Sequence, residues 1–169
     1  MSKEVIKTFI EKEKNSGNVF HFFCPYRVCP LGAHVDHQLG LVTGFAIDKG
    51  TKFSFFATED CEIEVYSDNF EGMAIGNLNE EYERQYIWAD YLFGAAYALK
   101  KSYTLTKGLK GIVSGEVLGG GLSSSASVIL TYLKSLAFVN DINLTSVELV
   151  NLAIDAERNF IGVNVGKLD

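Results

Sequence analysis

The chain has 169 residues, 47% of them hydrophobic and 21% charged, with two prolines, sixteen glycines and a net charge of −6. That composition suits one ordinary buried core, argues against a disordered chain, and is unfavourable for gripping a nucleic-acid backbone. No stretch approaches the ~20 apolar residues of a membrane-spanning helix and the charged N-terminus has no signal-peptide core, so a cytoplasmic protein without nucleic-acid or membrane partners is expected.

Residues 3–14 set Val5, Ile6, Phe9 and Ile10 at helical spacing among lysines and glutamates, which predicts a short amphipathic surface helix. Residues 19–24 are aromatic-rich and predict a strand; residues 41–47, 51–58 and 63–66 predict three more, so the first third reads as a meander. Cys24, Cys29 and Cys61 form an odd set without zinc-knuckle spacing and are read as reduced thiols. In residues 86–100, Trp88, Tyr91, Leu92, Ala95, Ala96 and Leu99 fall on one helical face, and lysines close the segment as a helix C-terminus favours. Residues 110–115 predict a strand, 118–121 a glycine turn, and 123–140 and 147–160 two helices. Thr145 and Glu148 have the spacing of a capping box, a better reading of that segment than a glycosylation sequon at Asn143. Strands followed by helices, with one more strand interleaved, predict a two-layer α+β domain over residues 1–169.

Two polar segments stand out. The first, residues 115–126, puts Gly119, Gly120, Gly121, Ser123, Ser124 and Ser125 between a strand and a helix. Glycines let backbone approach a phosphate, and the first-turn amides of the helix point outward unpartnered, so this is a plausible anion cradle. The lysine of a Walker loop is absent, which excludes that kind of nucleotide-binding element; a flexible turn with a serine N-cap is the plainer alternative. The second segment, residues 25–40, packs Arg27, His34, Asp36 and His37 among glycines and prolines. If residues 34–36 are extended, His34 and Asp36 share a face and could grip neighbouring sugar hydroxyls as donor and acceptor. A metal site built from His34, Asp36 and His37, or a merely solvated loop, remain as competing readings.

Together these segments resemble the galactokinase branch of the GHMP small-molecule kinases, whose first motif has the form GRVNLIGEHTDY and whose second ends in GLSSSA. Residues 157–169 are similar to the family's E-x-x-F-x-G…G-x-M-D-Q segment, with the same Glu-to-Asp spacing between Glu157 and Asp169. The resemblance spans nearly the whole chain. It implies a two-layer GHMP-kinase N-terminal fold, a mixed sheet with helices packed on one face, and ATP- and Mg2+-dependent phosphorylation of the anomeric hydroxyl of a hexose. Carried onto this sequence, it implies Arg27 and Asp169 as catalytic residues, with Asp169 accepting or orienting the sugar hydroxyl and Arg27 stabilising charge in phosphoryl transfer. It further implies Gly119, Gly120, Gly121, Ser123, Ser124 and Ser125 around the phosphates and Ser123 and Glu157 on the metal side. Ala33, His34, Asp36 and Gly166 would lie near the sugar. Trp88 and Tyr91 match an aromatic helix near the adenine site, beside their plainer reading as core residues.

Ala33 stands where galactokinases have the glutamate of GEHTD, and the surrounding segment is closer to galacturonokinases, which act on a sugar whose carbon 6 is a carboxylate. A glutamate about 4 Å from a uronate would cost on the order of 4 kcal/mol at an effective dielectric near 20, so alanine there favours galacturonate over galactose. Val117 replaces the proline that usually enters the glycine turn. The family continues past the position of Asp169 into a second domain, so the chain is expected to be a fragment with little turnover of its own and an exposed interdomain face open to self-association. Galactokinase proper, and a non-catalytic sugar and ATP sensor, are the alternatives.

Overall fold

The computed structural model describes residues 2–13, 18–32, 35, 40–117 and 121–168. In chain order they form α1 (Lys3–Glu13), β1 (Phe20–Leu31), β2 (Thr43–Thr58), β3 (Glu62–Ser67), β4 (Met73–Asn77), α2 (Asp90–Lys100), β5 (Gly108–Gly115), α3 (Ser124–Val139) and α4 (Ser146–Asp155), which runs into a π-helical turn over Ala156–Ile161. The strands make one five-stranded sheet in the order β1-β2-β5-β3-β4, antiparallel throughout except for the parallel pair β3 and β5.

The first strands are therefore not a simple meander, because β5 enters between β2 and β3. Its side chains explain the central position: Leu109 and Val113 are buried with the main core while Ile112 is buried on the opposite face. A strand apolar on both faces needs cover on both, and arrival through α2 permits the parallel pairing that a tight hairpin cannot give. The predicted strands 41–47 and 51–58 are one continuous strand, since β1 pairs along both halves from Phe20↔Phe55 to Leu31↔Thr43. The intervening Gly50 is a point of close approach rather than a turn: a Cβ there would collide with the carbonyl oxygen of Cys24. Strand β4 carries Ala74, Gly76 and Asn77, weak strand formers, and exists because β3 offers an edge to pair with.

Period-two alternation sends Phe53, Phe55, Ile63, Val65, Leu109 and Val113 to the face that packs with Leu92 and Leu99 of α2 and with Ile129, Leu133 and Leu136 of α3. Each such residue contributes about 1.5–3 kcal/mol on burial, which makes this layer the main source of cohesion. The helices α2, α3 and α4 gather on that face, and α1 adds a smaller cluster on the other, where Ile6 and Ile10 meet Tyr66 and Ile112 and the rings of Phe9 and Phe56 lie 4.5 Å apart. Helix α4 opens with the expected capping box: the Glu148 amide donates to Thr145 Oγ1 at 3.3 Å and the Thr145 amide donates to Glu148 Oε2 at 2.8 Å. Cys24, Cys29 and Cys61 are free thiols. Among the described residues no helix is long and apolar enough to cross a membrane.

Candidate functional site: a cavity beside the glycine–serine turn

The glycine–serine turn is anchored before it begins. Glu116 accepts from the Gly50 amide at 3.2 Å and from Lys52 Nζ at 2.8 Å, while the Asn69 side chain accepts from the Gly115 amide at 2.6 Å and donates to its carbonyl at 3.1 Å. Beyond the turn, Ser127 Oγ donates to the Cys24 carbonyl at 2.8 Å and bonds Thr51 Oγ1 at 3.0 Å, fixing the first turn of α3 to β1 and β2. Gly119 and Gly120 lie outside the described residues; Gly121 has φ +85°. Ser123 does not supply the side-chain N-cap of the plainer alternative. It sits in the left-handed region at φ 53°, its side chain bonds no amide, and its buried Oγ has no hydrogen-bond partner among the described residues. A buried hydroxyl left unbonded costs about 1–3 kcal/mol, so this oxygen is suited to an incoming ligand or cation.

A cavity of about 700 Å3 opens beside this turn. Ser124 and Ser125 line it on the α3 side, Trp88 and Tyr91 on the α2 side, with Tyr26 and Tyr132 also on its wall. The expected helix over 86–100 begins instead at Asp90, and the reason lies in that residue's buried carboxylate. Asp90 accepts from the amides of Gln85 and Ile87 at 3.1 and 3.0 Å, holding residues 85–87 as a loop at the cavity rim. The Trp88 indole donates to the Glu71 carbonyl at 2.9 Å, so Trp88 both packs on the core and presents a fixed face to the cavity. A void of this size with aromatic walls and hydroxyls at one end can take a flat heterocycle with a polar or anionic tail.

Arg27 stands outside the cavity lining, at a different junction. Its amide donates to the Leu122 carbonyl at 3.1 Å, and its Nε donates to the Leu168 carbonyl at 2.8 Å. It lies where the β1–β2 register shifts between Pro25 and Arg27, a local irregularity that re-aims a side chain. One residue thus joins three segments: it belongs to residues 25–40, its amide is tied to residues 115–126, and its side chain to residues 157–169. Ala33, His34, Asp36 and Asp169 lie outside the described residues, as does the alternative metal set of His34, Asp36 and His37. Among the described residues no three His, Cys, Asp or Glu side chains converge as a metal site.

Glu157 is 2% exposed and sits on the π-helical turn, a form often found at functional positions. Gly162 ends that turn at φ +75°, a left-handed cap that glycine adopts without strain. The chain then doubles back under the guanidinium of Arg158, which donates to the Val165 carbonyl through both Nε and Nη2. This brings Gly166 and Leu168 toward Arg27. Burial, and next the charge of Glu157, push the Tyr91 phenol above its ordinary pKa, with the charge of Arg84 opposing.

Residues 90–169 match the family described as "GHMP kinases N terminal domain". Over 98% of this chain, the fold superposes on the galactokinase of Lactococcus lactis solved in complex with galactose, with a TM-score of 0.87 and 33% identity. The chain carries a GHMP kinase N-terminal domain. Among curated proteins it is 33% identical to a galacturonokinase of Arabidopsis thaliana over 99% of its length, and 35% identical to a galactokinase of Fusobacterium nucleatum over all of it. It spans less than half of those relatives, 44% and 45% of their lengths. A mevalonate kinase, 21% identical with a TM-score of 0.76, shares the fold.

In this GHMP kinase domain, sequence reading had singled out Trp88, Ser124 and Ser125, and these share the cavity wall. Arg27, Gly121, Ser123, Glu157 and Gly166 are not among its lining residues; they belong to the neighbouring turn and C-terminal segment. Sequence reading missed Asn69, Arg84, Tyr86 and Asp90, whose roles arise from contacts distant along the chain, and no spacing rule marks them. It also missed Tyr132, a fully buried residue of α3 packed edge-on against Phe53 with ring centroids 5.3 Å apart. The Tyr132 hydroxyl has no partner among the described residues, and burial pushes its pKa far up. Tyr132→Phe removes that unsatisfied group at constant ring volume. The variant is expected to be stabilised by about 1 kcal/mol in urea unfolding; a loss of stability would show that the hydroxyl is bonded in solution.

Proposed function

We propose that this chain is the nucleotide- and sugar-binding half of a kinase that transfers the γ-phosphoryl group of ATP to the anomeric hydroxyl of a galactose-type hexose, with galacturonate preferred over galactose. The observation that carries this reading is the junction at Arg27, which bonds the carbonyls of both Leu122 and Leu168 next to the cavity and its serines. In this reading the adenine lies between Trp88, Tyr91 and the cavity floor, and the phosphates reach the turn formed by Gly119, Gly120, Gly121, Ser123, Ser124 and Ser125. Arg27 supplies positive charge where negative charge grows in phosphoryl transfer, and Asp169, one peptide bond beyond Leu168, takes or orients the proton of the sugar hydroxyl.

The residues present fit a divalent cation. Ser123 has a buried hydroxyl without a partner among the described residues, and Glu157 offers a carboxylate that is 2% exposed; hard cations take such oxygens. Mg2+ there would neutralise phosphate charge, a need sharpened by the domain's own net charge of −6. The sugar-side residues Ala33, His34, Asp36 and Gly166 complete the reading. The preference for galacturonate rests on Ala33, since a carboxylate at that position would repel the uronate.

The test is turnover by the full-length protein with ATP and Mg2+, offered galacturonate and galactose in parallel. At least tenfold higher kcat/KM on galacturonate is expected, with Ala33→Glu reversing the order. Galactose winning in the native protein would refute the preference, and phosphorylation of neither sugar would refute the kinase reading.

A further inference from the structure

The cavity wall holds a cation that the glycine–serine motif does not account for. Among the described residues that line the cavity, Arg84 is the single lysine or arginine, sharing the wall with the acidic Glu71 and Asp90. Its guanidinium has no ion pair among the described residues, and its Nε is buried without a hydrogen-bond partner. The carboxylate that could have neutralised it, that of Asp90, is instead spent on the amides of Gln85 and Ile87. Those two bonds shape the loop that carries Arg84 to the rim.

Arg84 is also held in place. Its Cζ lies 4.2 Å from the centroid of the Tyr86 ring, a cation–π distance. Tyr86 makes that contact from a left-handed backbone, φ 62°, and is 80% exposed, so burial does not explain the strain. Strain of this kind, on the order of 1–3 kcal/mol, persists where the surrounding structure imposes it, commonly at binding sites. On its other side Arg84 Nη1 comes within 3.1 Å of where a Cβ on Gly162 would stand, so the guanidinium bridges the rim loop and the end of the π-helical turn that carries Glu157.

We propose that Arg84 is a nucleotide-binding residue that clamps the polyphosphate tail of the nucleotide. This rests on the reading of the cavity as a nucleotide site. A nucleoside triphosphate brings several negative charges into a cavity that already contains two carboxylates, and the glycine–serine turn answers with neutral amides and hydroxyls. A planar guanidinium with a buried, unbonded Nε is the wall group able to donate charge-assisted hydrogen bonds to phosphate oxygens. Stacking on Tyr86 orients it before the ligand arrives, which lowers the ordering cost of binding.

The test compares ATP with adenosine, titrated calorimetrically into the full-length protein and into Arg84→Gln and Arg84→Lys. Arg84→Gln is expected to weaken ATP at least tenfold while changing adenosine less than twofold, and Arg84→Lys to recover part of the loss. Adenosine binding serves as the folding control. Unchanged ATP affinity in Arg84→Gln overturns the inference and leaves the nucleotide reading standing. If Arg84→Gln loses both ligands, Arg84→Lys decides: recovery of ATP binding upholds the clamp, and no recovery overturns it. A native protein that binds neither ligand overturns both the inference and the nucleotide reading beneath it.

Discussion

Asp169→Asn in the full-length protein is expected to lower kcat roughly a thousandfold with ATP and galacturonate, while sugar binding weakens less than tenfold. A positioned general base contributes about a hundred- to ten-thousandfold, and asparagine keeps the size of the side chain while abolishing its basicity. The expected loss corresponds to roughly 4 kcal/mol of transition-state stabilisation. The reason for looking to this residue is local: Leu168, its neighbour in the chain, accepts from Arg27 Nε through its carbonyl at 2.8 Å. Single-turnover kinetics separates the chemical step from product release. A variant that retains more than a tenth of native kcat would remove Asp169 from the chemistry and reduce it to a sugar-binding group at most.

Arg27→Met is expected to cost a hundredfold or more in kcat/KM, and Arg27→Lys to recover only a minor part. Two effects add. Methionine removes the positive charge that, in the proposed reaction, opposes the build-up of charge on the transferring group, and it removes the Nε donor to the Leu168 carbonyl. Lysine restores charge but not the planar fork that lets one side chain bond a carbonyl through Nε and still face a second group. The Leu122 contact is made by the backbone amide and survives both changes, so the glycine–serine turn should keep its place. ATP binding is therefore the control. If Arg27→Met weakened ATP binding as much as it lowered kcat/KM, Arg27 would be a ground-state binding residue rather than a transition-state one.

In the proposed reaction, Arg27 and Arg84 would answer the charge of phosphoryl transfer at two different places. Arg27 sits at the junction with the C-terminal segment, where its amide also bonds Leu122, and Arg84 shares the cavity wall with Ser124 and Ser125. Backbone bonds help to position both: Arg27 Nε donates to the carbonyl of Leu168, and Asp90 folds the loop that carries Arg84 with two amide bonds.

The sequence by itself determined what depends on neighbours along the chain. The amphipathic α1, the capping box of Thr145 and Glu148, the helix after the glycine–serine turn and the chemical character of the three polar segments all follow from local spacing and residue type. The tertiary structure alone decided what depends on partners remote in sequence. The central place of β5 came from its having apolar side chains buried on both faces. The fusion of two predicted strands into β2 came from a partner strand long enough to pair with both halves. The weak strand β4 came from an edge of β3 left to fill. The late start of α2 came from Asp90 turning its carboxylate back onto residues 85 and 87. The meeting of Arg27 with Leu168, 141 residues apart, and the presentation of Arg84 at the cavity rim have the same origin. Local propensity is set by a few neighbouring residues, whereas hydrogen bonds and charges across the sheet are satisfied only once the chain has closed on itself, and the candidate site is built mostly from those.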